Sequence, residues 1–489
     1  MYRTVSQINS VMSTLAAFFP DLCFRVELPN PSVEGLPIYA LRMRGGSGSN
    51  RRGVLVVGGM HARELMNPDA IVELMLDLTL SYLNETGRSY GGASWSAQDI
   101  KVILETMDVW LLPCANPDGR EFVMQAGGDR MWRKNRRTNS GTTCKGVDVN
   151  RNSDIVWGVT GPATSCSQCS TTYLGTTPFS EPEARNIEYL CETHDIKVFA
   201  DVHSFSEFVL YPWGHAPTQT TDPTKVFTGL ATGTCAPLSP SGYQEYMTPR
   251  DFTRYRTVSQ RVADRIREVR GRNYVLKSIY EVYNGTTTGS CSDYVYSRQI
   301  ANPSRNKTYG FAFETGPNTG NDLVSFQPDD PEPIKRDAKA GIIALIQQSI
   351  CAIDFIGTTL LGVSVESIRR IRDDMLATSD TGRKWIDLFE RVELPLLGIV
   401  LADRKLTKEA STLVRRMQKL AISKSKAVVT ASDVERGLAF LDSLAAKTKD
   451  KQLTNDLAAV HRHLKKAADQ TLNDLIAEVV KSKPPAAEH

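Results

Sequence analysis

The sequence predicts an α/β domain, a sheet covered by helices on both faces, followed by a smaller all-α domain. Three observations carry this. Short apolar runs alternate with longer amphipathic stretches through the first part of the chain, as strands alternate with helices when a sheet is buried on both sides. Every cysteine lies between Cys23 and Cys351. Beyond about residue 356 turn residues thin out and the apolar positions take up helical spacing. A chain of 489 residues is also long enough to expect more than one domain.

Val5 to Phe18 has a helical pattern. Val54 to Gly58 is the first run that reads as a buried strand, and Glu64 to Tyr82 the helix after it. Val109 to Pro113 is a second such strand. Ser180 to His194 reads as a helix, with Ser180 as its N-cap ahead of Pro182 and Glu183. Val198 to Val202 and Gly310 to Phe313 are further strands, and Ser259 to Arg270 and Ile334 to Ile350 further helices. The most apolar stretch, Ala340 to Val365, is interrupted by Gln347, Gln348 and Asp354, so it reads as a buried helix and not a membrane span.

Residues 1–356 therefore form one expected domain and 357–489 a helical bundle. The second part has no Cys, a single Trp (Trp385), and 23 Lys and Arg against 18 Asp and Glu. Leu453, Leu457, Val460, Leu464, Ala468, Leu472, Leu475 and Val479 mark one amphipathic helix, and Val434, Leu438, Leu441 and Leu444 a shorter one. Lys483-Pro484-Pro485 belongs to an expected disordered tail. The bundle is expected to dock on its own chain, to dimerise or to bind a protein partner. A net charge of +3 gives no case for nucleic acid or an acidic membrane as partner. Met1-Tyr2-Arg3-Thr4 opens no apolar h-region, so no signal peptide is visible. Nine cysteines leave at least one thiol free or bonded to another chain.

The chemistry begins at His61-Ala62-Arg63-Glu64, just after the apolar run at Val54. A histidine and a glutamate one turn apart can face one ion, and zinc asks for such donors at about 2 Å. His203 ends a strand-like run and is a candidate third donor, although a lone histidine there is commonly a hydrogen-bonded core residue. Two nitrogens and one carboxylate make a catalytic zinc set with a place left open. Asp148 is a candidate to hold the far nitrogen of a ligand histidine. Glu314 ends another apolar strand, where a carboxylate is costly unless paired or functional; near a metal it can take a proton from water and return it to a leaving amine. Arg133 and Arg151 suit two tasks: stabilising an oxyanion and gripping a carboxylate.

Together, His61-x-x-Glu64, Asn116-Pro117-Asp118-Gly119, Trp132-Arg133-Lys134, Asp148-Val149-Asn150-Arg151-Asn152, His203-Ser204, Leu210-Tyr211-Pro212 and Phe313-Glu314 resemble, in order, the zinc metallocarboxypeptidases of the pancreatic A/B type. The likeness runs from about Tyr2 to Ala352. It implies a mixed, twisted carboxypeptidase-like sheet and one zinc ion per catalytic domain, held by His61, Glu64 and His203. It implies Glu314 as general base and acid, Arg133 at the oxyanion, and Asn150 and Arg151 on the substrate's terminal carboxylate with Arg63 and Ser204 nearby. Tyr283 is the expected pocket-closing tyrosine, with Tyr280 left open by a spacing to Asp293 longer than the family's. Ser292 falls at the pocket floor, and Leu210, Gly214 and Ala312 on its walls, which implies apolar or aromatic C-terminal residues. Cys144 and Cys169 match a family disulfide, although Cys166-Ser-Gln-Cys169 also has redox or metal spacing. A disulfide implies an oxidising place, outside the cell or in a secretory lumen. The expected reaction is hydrolysis of the last peptide bond of peptides and proteins. The alternatives are a related zinc amidohydrolase on acylated amino acids or cell-wall peptides, and a non-catalytic peptide-binding relative.

Overall fold

The computed structural model describes residues 2–46, 51–217, 220, 222–350, 356, 367–368, 371, 376, 379–423 and 428–481. The tail expected around Lys483 lies outside them, as does most of the stretch around the expected boundary at 356. The chain divides into two compact units, Met1–Gly45 with Arg52–Ser349, and Gly46–Arg51 with Ile350–His489.

Among the described residues the main sheet of the first unit has eight strands: β1 Cys23–Glu27, β2 Tyr39–Met43, β3 Arg52–Gly58, β4 Met107–Leu112, β5 Ile196–His203, β6 Phe208–Tyr211, β7 Val275–Ser278 and β8 Tyr309–Glu314. They form one mixed sheet in the order β1-β2-β4-β3-β5-β8-β6-β7. The middle pairings β4–β3, β3–β5 and β5–β8 are parallel, while β1–β2, β2–β4 and β8–β6 are antiparallel. Val54, Leu55, Val56 and Val57 are wholly buried, as a central strand covered on both faces requires.

Among the described residues ten α-helices accompany the sheet: α1 Val5–Phe18, α2 Met66–Leu83, α3 Ala97–Thr106, α4 Pro117–Met124, α5 Pro182–Thr193, α6 Pro249–Arg270, α7 Ile279–Tyr283, α8 Cys291–Ala301, α9 Asp322–Phe326 and α10 Glu332–Ser349. They cover both faces; α10 packs against α2 and α6, and α5 against α8. The backbone of α8 lies so close to β8 that a Cβ at Gly310 would come within 2.1 Å of the Ser292 carbonyl oxygen, so only glycine fits there.

Several element limits differ from expectation. Ser180 does not cap α5: its hydroxyl donates to Glu181 and accepts from Asn152 Nδ2, and the helix opens at Pro182. The helix expected from Ser259 begins at Pro249, where Thr248 Oγ1 accepts from the Asp251 amide; charged Arg250, Arg254 and Arg256 hid its first turns.

The second unit contains α11 Asp380–Leu401, α12 Arg404–Ser423, α13 Ala431–Ala445, α14 Lys451–Leu464 and α15 Leu472–Lys481, with α11 packed against the other four. The single helix expected from Leu453 to Val479 is two helices. Between them the Asp469 amide donates to the Val429 carbonyl, and the Val429 amide donates to that of Gln470. Thr471 then starts α15 by exchanging bonds with Asp474. Leu464, Ala467, Ala468, Leu472 and Leu475 still share one apolar cluster with Leu420, Val429 and Val434, so the apolar spacing survives a break in the helix.

Candidate active site

The carboxyl ends of the parallel strands bring the site together, where α/β sheets place their ligands. His61 lies three residues past β3, and His203 and Glu314 end β5 and β8 directly opposite each other in register. Asn116 fastens the loops around them. Its Nδ2 donates to the carbonyls of Met60 and Lys134, and its Oδ1 accepts from the Gly119 amide. The Ala62 amide donates to the Arg133 carbonyl, which ties the segment bearing His61 to the one bearing Arg133.

Glu64 stands between the two histidines. Oε1 is 2.8 Å from His61 Nδ1 and Oε2 is 3.0 Å from His203 Nδ1. All three side chains are buried, and one donor atom from each lies within 4.8 Å of the others. Burial works to raise the Glu64 carboxyl, but the two histidines hold it well below the usual carboxylate range. Each histidine turns its far nitrogen to an aspartate. His61 Nε2 is 3.2 Å from Asp148 Oδ1, and His203 Nε2 is 2.6 Å from Asp201 Oδ2. Burial works against charge on His203, yet Asp201 and Glu64 push the imidazole well up. Burial would also raise Asp148, but Arg133, His61 and Arg151 hold it low.

Glu314 is buried beside this group. Burial and the neighbouring Glu64 push its carboxyl up to about 8, against the pull of His203 and Arg133. Arg133 is held by Asp148, with Nε at 3.0 Å from Oδ2. Arg63 lies with its guanidinium 4.2 Å from the Phe326 ring centre, and burial followed by the charge of Arg133 lowers it. Phe205 packs on the same ring.

Asn150 and Arg151 sit in a single 3-10 turn that Asp148 caps by accepting from the Asn150 amide. Arg151 Nε donates to the Ala163 carbonyl at 2.6 Å and Nη1 to the Asn150 carbonyl at 2.6 Å, while its buried Nη2 has no partner among the described residues. Gly289, at φ +67°, lets the loop before α8 approach to where a Cβ would be 2.1 Å from the Arg151 carbonyl oxygen. Asn150 Oδ1 accepts from the Cys291 amide, so the start of α8 is tied to the same turn.

Leu210 and Ala312 are opposite one another on β6 and β8 and share a buried apolar cluster with Ile279, against which Tyr283 packs. The Tyr283 ring centre is 5.6 Å from the Arg151 guanidinium carbon. Tyr280 is outside that cluster; its amide donates to the Trp213 carbonyl. Ser292 is buried and donates to the Phe311 carbonyl, and Gly214 donates its amide to Asp293. Ser204 is buried; its hydroxyl accepts from Asn67 Nδ2 and its amide donates to Glu64.

Cys144 is bonded to Cys169 and Cys166 to Cys235, so Cys166 and Cys169 do not act as a pair; the second bridge was not anticipated. Cys23, Cys114, Cys191 and Cys291 are buried thiols. Asp201 was also missed, and Asn116, although part of a quoted motif, was given no task. A buried aspartate two positions before His203 lies on the same face of its strand, and that is the signal that could have found it.

Residues 8–340 match the zinc carboxypeptidase family. Mouse carboxypeptidase A2 is 31% identical over 314 residues, covering 64% of this chain and 62% of that protein. Pig carboxypeptidase A1 is 35% identical over 215 residues, covering 44% of this chain and 47% of that protein. This chain thus spans less than two thirds of the length of either relative. Among solved structures, thrombin activatable fibrinolysis inhibitor superposes with a TM-score of 0.55 at 22% identity, over 71% of this chain and 74% of that one. Carboxypeptidase A from Helicoverpa armigera gives 0.53 at 24% identity, over 71% and 74%. Both share the fold.

Proposed function

The chain belongs to the zinc carboxypeptidase family, and from that premise we propose that it is a zinc-dependent exopeptidase that hydrolyses the last peptide bond of peptides and proteins. The observation that carries this is the buried His61, Glu64 and His203 set with Glu314 beside it. Two imidazole nitrogens and a carboxylate oxygen, each histidine backed by an aspartate, are the donor types and outer partners of a catalytic zinc, so the residues fit the ion. Bound there, zinc supplies Lewis acidity, lowering the pKa of water and polarising a carbonyl.

The protein's own residues do the rest. The unpartnered Nη2 of Arg151, with Asn150, grips the free terminal carboxylate and so restricts cleavage to the chain end. Arg133, oriented by Asp148, donates to the oxyanion that forms as the carbonyl is attacked. Glu314 takes the proton of the attacking water and passes it to the amine as the carbon–nitrogen bond breaks. Tyr283 covers the pocket, with Arg63 and Ser204 at its margin.

Leu210 and Ala312 are apolar, and the Ser292 hydroxyl is spent on the Phe311 carbonyl, which supports a preference for apolar or aromatic C-terminal residues. The two disulfides support an oxidising location, extracellular or in a secretory lumen. We assign residues 1–356 to catalysis and 357–489 to a helical extension that docks on its own chain, dimerises or binds a protein partner. Among the described residues no helix is long and apolar enough to cross a membrane.

The test is release of the last residue from paired peptides, free acid and C-terminal amide, with and without a zinc chelator. Chelator-sensitive release from the acids alone is expected. Equal cleavage of both forms overturns the exopeptidase reading, and fastest release of C-terminal Lys or Arg overturns the specificity.

A further inference from the structure

We propose that Asp201 is a positioning residue that serves the metal site and the substrate-carboxylate site at once; this rests on the zinc reading above. Its Oδ2 is a junction. It lies 2.6 Å from His203 Nε2 and accepts from Asn150 Nδ2 at 2.9 Å. Asn150 Nδ2 is in turn 3.0 Å from His203 Nε2, so the three groups close a small ring. Asp201 is wholly buried, and its Oδ1 has no hydrogen-bond partner among the described residues. A carboxylate kept there without full pairing costs stability, so its position asks for a role that a neutral residue could not fill.

Geometry defines that role. His203 has two ring nitrogens; Nδ1 is 3.0 Å from Glu64 Oε2, and Nε2 is the one that meets Asp201. An acceptor at Nε2 holds the proton on that nitrogen, leaves the Nδ1 lone pair to a metal and raises its basicity. Asp148 does the same for His61. Asp201 therefore makes the arrangement two-sided, with each ligand ring braced by its own buried carboxylate. Unlike Asp148, whose second partner is Arg133, Asp201 takes Asn150 as its second partner. Through that bond the ring that holds the metal and the amide proposed to meet the substrate's carboxylate share one anchor.

Two variants separate the parts. Asp201→Asn keeps shape and one acceptor oxygen but loses the charge; Asp201→Ala loses both. Zinc affinity is read by competition with a chromophoric chelator, thermal midpoints on the metal-free chains, and kcat and KM on a free-acid peptide at saturating zinc. Asp201→Asn is expected to bind zinc roughly 10- to 100-fold more weakly, with the metal-free midpoint unchanged or raised and KM nearly unchanged. Asp201→Ala is expected to lose zinc affinity further and to raise KM, because Asn150 is released. A merely structural residue would lower the metal-free midpoint and leave zinc affinity alone. Zinc affinity of Asp201→Asn within twofold of the parent overturns the proposal. Failure of the parent chain to take up zinc overturns the metal reading itself, which the parent titration shows separately.

Discussion

Arg133 and Asp148 are joined by two contacts to a single oxygen, Nε at 3.0 Å and Nη2 at 2.9 Å from Oδ2, while the other Asp148 oxygen faces His61. One buried carboxylate thus sets the direction of a proposed metal ligand and of the proposed oxyanion donor. Asp148→Asn leaves the shape but removes the negative charge that faces both His61 and Arg133. The expected result is roughly 10- to 100-fold weaker zinc binding and a fall in kcat that saturating zinc does not restore, because Arg133 is no longer held. Recovery of full kcat by zinc alone would show that Arg133 does not depend on Asp148.

Glu314→Gln removes the base and keeps the volume. Since the glutamate is proposed to move protons, kcat should fall at least about 10²- to 10⁴-fold. Zinc content by mass spectrometry under non-denaturing conditions should stay at the parent's level. Retained turnover would remove Glu314 from the mechanism.

Arg151 carries a buried Nη2 without a partner among the described residues, which is costly until a ligand arrives to accept from it. Loss of a hydrogen bond to a charged group costs about 1.5–3 kcal/mol, or roughly 10- to 150-fold. Arg151→Lys should therefore raise KM for free-acid peptides by that factor. Inhibition by a simple carboxylate that competes with substrate should weaken in parallel. An unchanged KM would place the carboxylate elsewhere.

Much of this site was legible because its residues come as local motifs or at the ends of apolar strands. His61 and Glu64 are three apart, and His203 and Glu314 each close a run that burial makes conspicuous. What stayed hidden depends on partners distant in the chain. Asp201 looks like a misplaced charge until His203 and Asn150 are seen around it. Asn116 stood out within its motif, but its task did not, because its bonds to backbone carbonyls leave no trace in side-chain patterns. Among strands, β1, β2, β6 and β7 were not expected; in β1 and β2 Arg25 and Arg42 interrupt the apolar pattern, and both arginines lie over aromatic rings. In the second unit, spacing alone could not show the break after Leu464, since the residues on both sides of it face one cluster.

Away from the proposed metal site, His215 sets a pH window for stability. Its Nε2 is 2.9 Å from Glu245 Oε2, and Nδ1 is 3.7 Å from Asp293 Oδ2. Burial alone would lower the imidazole, but Asp293 and Glu245 overcome it and push it up to about 9 from 6.5. A raised folded value means that the native state holds a proton the unfolded chain releases. The contribution is complete below pH about 6.5 and is lost as pH rises towards about 9; in size it is about 3 kcal/mol. Urea midpoints from pH 6 to 10 should fall across that window in the parent. The fall should be smaller in His215→Gln. Equal slopes in the two proteins would show that His215 does not gain its proton on folding.

Zinc uptake should expel protons. In the metal-free chain burial disfavours a charged His203, yet Asp201 and Glu64 push its imidazole well up, so the ring holds at neutral pH a proton that an ion bound at the proposed site would displace. Glu314 is pushed up to about 8, mainly by burial, and a nearby cation favours its ionised form. A ligand histidine must be neutral at the donating nitrogen, so binding and deprotonation are linked. Apparent zinc affinity should therefore rise with pH through the neutral range, by up to about tenfold per pH unit for each proton released. Calorimetric titration of the metal-free protein in two buffers of different ionisation enthalpy measures that release directly. Heats that agree in the two buffers would mean that no proton leaves, and that His203 already stands neutral towards the site. In Glu314→Gln the release should shrink but not vanish, which separates the share of Glu314 from that of His203.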